Sequence, residues 1–537
     1  MTRWRLSADL PVRVFQRNGI DGRSAVRSVA RQMSWPVLVV AGVWLATTIW
    51  VARLLVGRID GLTASPFDLG FFQQVVWSVG HLGQWTSSFH QGSFLGLHFS
   101  PILVVPALIE RLIWADVRVL SLIHSIAIGA LVPAAFLFLR SVLRPSRAAG
   151  PLSAALAIGL PASGALQEVI RSDFHPEAVG VVLALLAAWA GLTGRRRGLW
   201  ILALLALATR EDLTYAVGLV GLVVAVRGRG RLRRHGRFVM LVAGVWAVIV
   251  FGVLMPWIRG GVPSDTASYY AWLGGGFGAL TAPFTMTDRV VAALTRPEPW
   301  FVVAGMLGSL LGLPLVRPRW GVLVLPPLVA LLLSSHPWQA NILLQYPLIL
   351  VIPLVVSAGF GGRRVISIAT RWRWRRRAAA SRPSRALQRA FGSSVSWRSI
   401  VVAGLFLLAS GPALADAWIQ GAVPPFDRGE AAFDERPGAE ARLERVAALI
   451  PPGTTLVTDE GLVPELAGRP AIHWLVLNAS AERDAAVLLD RVAWSSRSWG
   501  PHGREELFAA LESSGRPRLA DDGRFVLWGP APDAGSP

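Results

Sequence analysis

Runs of apolar residues, many long enough to cross a bilayer and broken by short tracts of arginine, are the feature that most constrains this chain. A spanning helix needs roughly 17–25 mostly apolar residues, fewer where a broken helix is sheltered by protein. About eleven such segments are read by that rule, near 36–57, 117–139, 151–170, 177–194, 198–209, 213–226, 237–257, 299–315, 320–334, 340–359 and 399–416. With 53% hydrophobic and 16% charged residues, and a mean hydropathy of +0.48, the chain reads as an all-α polytopic membrane protein.

The net charge of +20 would suit nucleic acid if it lay on a soluble surface. It does not. The arginines sit beside apolar spans, the pattern of cytoplasmic flanks, so a nucleic-acid partner is excluded and membrane lipid is the expected one. Arg3 to Arg31, Arg140 to Arg147, Arg195 to Arg197, Arg227 to Arg237, Arg317 with Arg319, and Arg363 to Arg398 all fall on one side of a single alternating path. That path requires Pro101 to Trp114 to be re-entrant or interfacial. Residues 1–35 form an Arg-rich cytoplasmic segment, and the apolar run after them is too long for a signal-peptide core. It is expected to be retained as the first span. The transmembrane domain covers 36–416, with a large first outer loop at 58–116, another at 258–298, and a basic cytoplasmic loop at 363–398. Absent cysteines exclude disulfide, thiolate and Cys-metal chemistry.

Residues 417–537 change character, with Pro424-Pro425 and acidic residues. Short apolar patterns at Thr454 to Thr458, Ala471 to Leu477, Ala485 to Leu489 and Phe525 to Trp528 read as strands, and Glu505 to Leu511 as a helix. The tail is expected to be a small soluble extracytoplasmic α/β domain. No glycine-rich phosphate fingerprint follows these strands.

Charge placed between apolar runs is costly unless it is paired, hydrated or used. Arg171-Ser172-Asp173-Phe174-His175-Pro176-Glu177 sets four ionisable groups in one turn. Asp173, His175 and Glu177 alternate and share a face if that turn is extended, while Arg171 offers a fork for phosphate or carboxylate. Arg210-Glu211-Asp212 lies between two short apolar pieces, where a broken helix would line a cavity. In the first outer loop Asp68 opens an amphipathic stretch containing Gln74 and Trp77, and is suited to act as a base or metal ligand. Each cluster has a plainer reading: Asp68 as a helix N-cap, the other two as self-satisfied ion clusters, and His98 before Ser100-Pro101 as a cap. Tyr269-Tyr270 and His336 are outer-face candidates for substrate contact or for an aromatic belt.

Phe67-Asp68-Leu69-Gly70 with Gln74 and Trp77, then His98-x-Ser100-Pro101, Asp173-Phe174-His175-Pro176-Glu177 and Arg210-Glu211-Asp212 resemble, in order, an uncharacterised prokaryotic membrane family, domain of unknown function 2079 (DUF2079). That family in turn looks like the C-type glycosyltransferase (GT-C) superfamily, whose members take sugars from polyprenyl-phosphate donors at the outer membrane face. The resemblance implies a GT-C-like fold and places Asp68 where such enzymes keep the acid that activates the acceptor or coordinates metal. Gln73 stands where the pattern carries a second acid. The acidic pairs of metal-dependent members are also missing around Asp68, so the resemblance leaves the cofactor open, a divalent cation being the one it allows.

The expected function is transfer of a sugar from a polyprenyl-phosphate-linked donor at the outer face of a bacterial plasma membrane. Asp68, Asp173 and His175 are the catalytic candidates. Arg171, Glu177, Arg210, Glu211, Asp212, His98, Gln74 and Tyr270 are the substrate-binding ones. The alternatives are a transporter or flippase of a lipid-linked glycan or small solute, whose path the same charges would line, and a scaffold whose tail binds envelope partners.

Overall fold

The computed structural model describes residues 35–146, 148–262, 264–274, 278–379, 411–426, 438–474, 483–492 and 501–532. Four helices in it are long and apolar enough to cross a membrane: α1 (Trp35–Asp60), then Arg118–Leu143, Arg231–Ile258 and Leu348–Arg371. A bent pair, Ala149–Gly159 and Gly164–Arg171, meets at 49° and makes a fifth if it is counted as one span. The described residues thus contain four clear spans, or five with the bent pair, where the sequence reads about eleven. Several expected spans are short helices, such as the 12-residue Arg196–Leu207 and the 15-residue Leu213–Arg227. At about 1.5 Å per residue these reach well short of a ~30 Å hydrocarbon core.

In chain order the further helices are α2 (Phe71–Leu82), α3 (Val104–Leu112), α4 (Arg118–Leu143), α5 (Ala149–Gly159), α6 (Gly164–Arg171), α7 (Pro176–Leu192), α8 (Arg196–Leu207), α9 (Leu213–Arg227), α10 (Arg231–Ile258), α11 (Pro297–Ser309), α12 (Pro318–Leu332), α13 (Leu348–Ala379), α14 (Ala439–Ala447) and α15 (Pro501–Ser513). Leu139 of α4, Leu156 of α5, Val169 of α6, Leu185 of α7, Val220 of α9 and Val355 of α13 meet in one buried apolar cluster. Without a hydrophobic drive between helices in lipid, close packing decides which of them touch. Gly129 of α4 lies against Thr48 of α1, and Gly221 of α9 against Gly236 of α10, so that a β-carbon at any of these glycines would collide with its neighbour.

Three sequence expectations change. The segment read as a span from 340 becomes helical only at Leu348, after Pro347, because Ile342 (φ 58°) and Leu344 (φ 55°) adopt left-handed backbone that no helix accepts. The basic segment 363–398, read as a loop, begins as a continuation of α13 to Ala379, in keeping with the helix propensity of Arg and Ala. The outer loop 258–298 contains short helices at Asp265–Ser268, Gly278–Thr285 and Thr287–Thr295. The segment 399–416 is described only from 411, which is helical, and its earlier part lies outside the described residues. The expected re-entrant segment holds α3, whose nine residues are too few to cross.

The tail folds as a five-stranded mixed sheet. A hairpin of β1 (Thr86–Ser87) and β2 (His90–Ser93) follows α2, and the strands of the tail are β3 (Leu456–Thr458), β4 (Ile472–Trp474), β5 (Ala486–Asp490), β6 (Arg518–Asp521) and β7 (Phe525–Trp528). Their order is β4-β3-β5-β7-β6, parallel for the first three and antiparallel thereafter. Four strands and the α15 helix match the sequence reading; β6 and α14 were not anticipated. The expected strand after Ala471 is described only to Trp474.

This sheet docks on the segment between α1 and α4. The Gln74 amide donates to the Arg469 and Pro470 carbonyls at 3.1 and 3.4 Å, and the Ser88 hydroxyl both donates to the Ile472 carbonyl at 2.6 Å and accepts from its amide at 3.1 Å. Gly70 is needed at this seam. A β-carbon there would stand 2.6 Å from Val463 Cγ1.

Candidate functional site

Asp68 sits on a single π-helical turn, Pro66–Gly70, directly before α2. Ser65 caps that turn: its hydroxyl accepts from the Asp68 amide and donates to the Asp68 carboxylate, both at 3.1 Å. The cap is thus Ser65, and the Asp68 carboxylate keeps Oδ1 for other contacts. His175 Nε2 lies 3.6 Å from that oxygen. Burial, reinforced by the Asp173 carboxylate, pushes the Asp68 carboxyl up to about 7, against the pull of Ser65 and Arg58. Burial and the charge of Arg210 hold the His175 imidazole well below its ordinary value. At neutral pH the pair is therefore an acid near its midpoint beside an uncharged ring.

His175 is positioned from three sides. It precedes Pro176, which starts α7; its amide donates to His124 Nδ1 at 3.2 Å; and its ring packs edge-on against Phe72 with centroids 5.6 Å apart. Asp173, two residues earlier, has left-handed backbone (φ 60°), a conformation Asp tolerates better than most residues. Its carboxylate is fully buried and takes hydrogen bonds at 2.8 Å from both Arg58 Nη1 and the Ser65 amide.

Asp68, His175, His98 and Arg210 line one cavity of about 480 Å³, together with His90, His336, Tyr269, Tyr346 and the rings of Phe67, Phe71, Phe72 and Phe89. Arg210, Gln345 and Tyr346 also line an adjoining groove of about 240 Å³. Its other walls are apolar, from Val181, Leu213, Ala216, Leu331 and Ile349, and it reaches Phe251 on α10, which is half exposed on the outside of the helix bundle. A polar chamber thus continues sideways into an apolar slot.

The break between α8 and α9 supplies the charge at the junction. Arg210 pairs closely with Glu177 of α7 and has Glu211 and Asp212 at 3.7 and 3.6 Å from its Nε. Glu211 reaches across to the segment between α2 and α3, where it meets His98 Nδ1 at 3.0 Å and accepts from the Phe99 amide at 2.9 Å. His98 thus contacts Glu211 through its ring while its backbone amide closes the turn Phe94–Leu97, and it is Ser100, not His98, that precedes the helical turn at Pro101.

A family model described as "Predicted membrane protein (DUF2079)" matches residues 58–514. The chain belongs to DUF2079. No curated protein matches its sequence. Among solved structures, this DUF2079 chain is similar to ArnT from Cupriavidus metallidurans bound to undecaprenyl phosphate, at 14% identity over 90% of this chain and 97% of that one, with a TM-score of 0.44. It is also similar to the oligosaccharyltransferase of Archaeoglobus fulgidus in the apo form, at 12% identity over 86% and 70% of the two chains, with a TM-score of 0.38.

The residues singled out in the DUF2079 sequence separate into three groups. Asp68, His175, His98 and Arg210 share the cavity, and Glu177, Glu211, Asp212 and Tyr270 line the groove beside it. Asp173 is withdrawn from both by Arg58 and Ser65, so its place is behind the site and not in it. Arg171 pairs with Glu168 at 2.8 Å, and Gln74 fastens the tail, so neither lines the chamber. Sequence reasoning missed Arg58, hidden at the end of an apolar run, and the Leu344-Gln345-Tyr346 wall, masked by the apolar span expected there. It named no role for Phe71 and Phe72, whose apolar character gave no signal.

The divalent cation allowed by the GT-C resemblance is not matched by this donor set. With the Arg210 guanidinium standing among Glu177, Glu211 and Asp212, no three His, Asp or Glu groups among the described residues are arranged to hold a metal ion.

Proposed function

We propose that this DUF2079 protein is a membrane glycosyltransferase that takes a sugar from a polyprenyl-phosphate-linked donor. The observation that carries this reading is the continuity of a polar chamber containing an acid poised near pH 7 with an apolar slot reaching a lipid-facing helix. A lipid-linked sugar has that division of chemistry: its isoprenoid chain suits the slot, and its phosphate suits the junction at Arg210, where a fixed planar cation offers N–H donors. The sugar then stands in the chamber, whose aromatic walls suit the apolar faces of a pyranose.

Asp68 is the base in this scheme. Its carboxylate takes the acceptor hydroxyl proton as the acceptor oxygen bonds to the anomeric carbon, and the bond from that carbon to the phosphate oxygen breaks with its electron pair leaving on the phosphate. The uncharged His175 ring flanks the carboxylate, its Nε2 3.6 Å from Oδ1. No step needs a metal ion. The arginine tracts support an outer-face site, since the positive-inside rule favours 58–116 and the tail on the side opposite them.

Purified protein in detergent, given a panel of undecaprenyl-phosphate-linked sugars with membrane lipids and glycans as acceptors, tests this by release of undecaprenyl phosphate. Release is expected from the wild type, with a loss of about 100-fold or more in Asp68→Asn. Turnover without a second compartment also separates transfer from transport. Full activity in Asp68→Asn overturns the base assignment.

A further inference from the structure

We infer that Arg210 is a built-in cation occupying, within a carboxylate cage, the place that a divalent metal takes in oxygen-donor sites, so that this site works without a metal ion. Glu177, Glu211 and Asp212 come from two different elements, the first turn of α7 and the α8–α9 break, and they converge on one guanidinium. Three carboxylates around a small cavity are the donor type that Mg²⁺, Mn²⁺ or Ca²⁺ selects. Here the positive charge is covalently part of the chain.

The cage is not saturated. Glu177 Oε2, Asp212 Oδ1 and Arg210 Nε are buried and lack a hydrogen-bond partner among the described residues. Unpaired acceptors around a cation are what a site keeps when its remaining valences serve a ligand, and structural ion clusters in an apolar interior close theirs. Arg210 also borders both the chamber and the groove, so one side is held by carboxylates while the other is presented to whatever lies at the junction. A metal ion held by carboxylates on one side would present its open positions in the same way. The guanidinium differs in offering directed N–H donors and in being insensitive to chelators.

This inference concerns the site's charge and does not depend on which group is transferred, so its test uses no donor. Manganese is the probe, read by the bound signal in electron paramagnetic resonance and by the thermal unfolding midpoint of the full chain in detergent. The wild type is expected to bind no Mn²⁺ at this site and to show no shift in midpoint with Mn²⁺ or with chelator. Arg210→Met leaves three carboxylates facing one another; it is expected to unfold several degrees lower, to bind about one equivalent of Mn²⁺ and to recover on doing so, by linkage of binding to folding. Arg210→Lys, which keeps the charge, is expected to fold and to ignore Mn²⁺. One equivalent of Mn²⁺ on the wild type, lost in Glu211→Gln, overturns the inference, and so does a folded Arg210→Met that binds none. If Arg210→Met does not fold, the wild-type titration with its Glu211→Gln control still decides the matter.

Discussion

At the scale of single residues, Asp68 is the group whose chemistry is most unusual, and its titration gives a signed prediction. Its carboxyl is raised from 3.8 to about 7 in the folded chain, so the folded state holds the proton more tightly than the unfolded one. Linkage then requires stability to fall as pH rises from about 4 to about 7, and to be flat on either side. Asp68→Asn removes that slope. The variant is expected to match the wild type in midpoint at low pH and to unfold at a higher temperature above neutrality, while transfer is lost at every pH. The wild-type rate should climb through about pH 7 as the carboxylate forms. A thermal-shift series across pH on both proteins, paired with rates, checks this; a variant less stable than wild type above neutrality contradicts the burial assigned to Asp68. Asp68, His98, His175 and Arg210 were legible in the sequence because ionisable groups beside apolar runs stand out. Arg58, Gln345 and Tyr346 were not, since what matters about them is which distant element they face.

At the scale of elements, the link between α1 and the turn before α7 is what sets the site's geometry. Arg58 of α1 donates to Asp173 and to the carbonyls of Arg171 and Thr63, and the Asp173 carboxylate also accepts from the amide of Ser65, the cap of the Asp68 turn. One buried ion pair therefore ties the Asp68 turn to the His175 turn. Removing either partner leaves a buried charge uncompensated, at a cost of about 3–5 kcal/mol. Asp173→Ala is expected to be strongly destabilised and inactive, whereas Asp173→Asn, keeping the shape and one acceptor, is expected to retain part of both. A catalytic Asp173 would instead give a stable, inactive Asp173→Asn; folding midpoints beside transfer rates separate the two. The Asp-Phe-His-Pro pattern marked this turn in the sequence but not the division of labour within it. Alternation suggested that 173 and 175 share a face, yet left-handed backbone at Asp173 turns its carboxylate inward. Periodicity arguments likewise ran a helix through 340–347, where Pro347 and two left-handed residues open the wall that carries Tyr346.

At the scale of the whole molecule, the tail completes the segment between α1 and α4 and is more than an appendage to it. Trp474 of β4 packs at a tilt against Phe67 and Phe89, with centroids 5.5 and 5.6 Å away, and both of those rings line the chamber. Arg118 at the start of α4 holds the same junction from another side, gathering Asp60 at 2.6 Å, Glu440 at 2.9 Å, Glu465 at 3.1 Å and Asp116 at 3.2 Å. Burial, opposed by Arg118 and helped by the neighbouring acids, pushes the Glu465 carboxyl up to about 7. Without Arg118 four carboxylates would face one another, and the repulsion would grow as they ionise. Arg118→Met is therefore expected to loosen the tail from that segment, seen as faster amide hydrogen exchange in β4 and in the 86–93 hairpin. Because Glu465 is raised, its charge opposes docking more as pH rises through about 7 and less as pH falls, so the loosening should be large near pH 8 and much smaller near pH 5. Exchange at β4 that is unchanged in Arg118→Met, or equally fast at both pH values, would mean that the hydrogen bonds of Gln74 and Ser88 and the seam at Gly70 hold the tail by themselves, and that the charge cluster contributes nothing to closing the chamber.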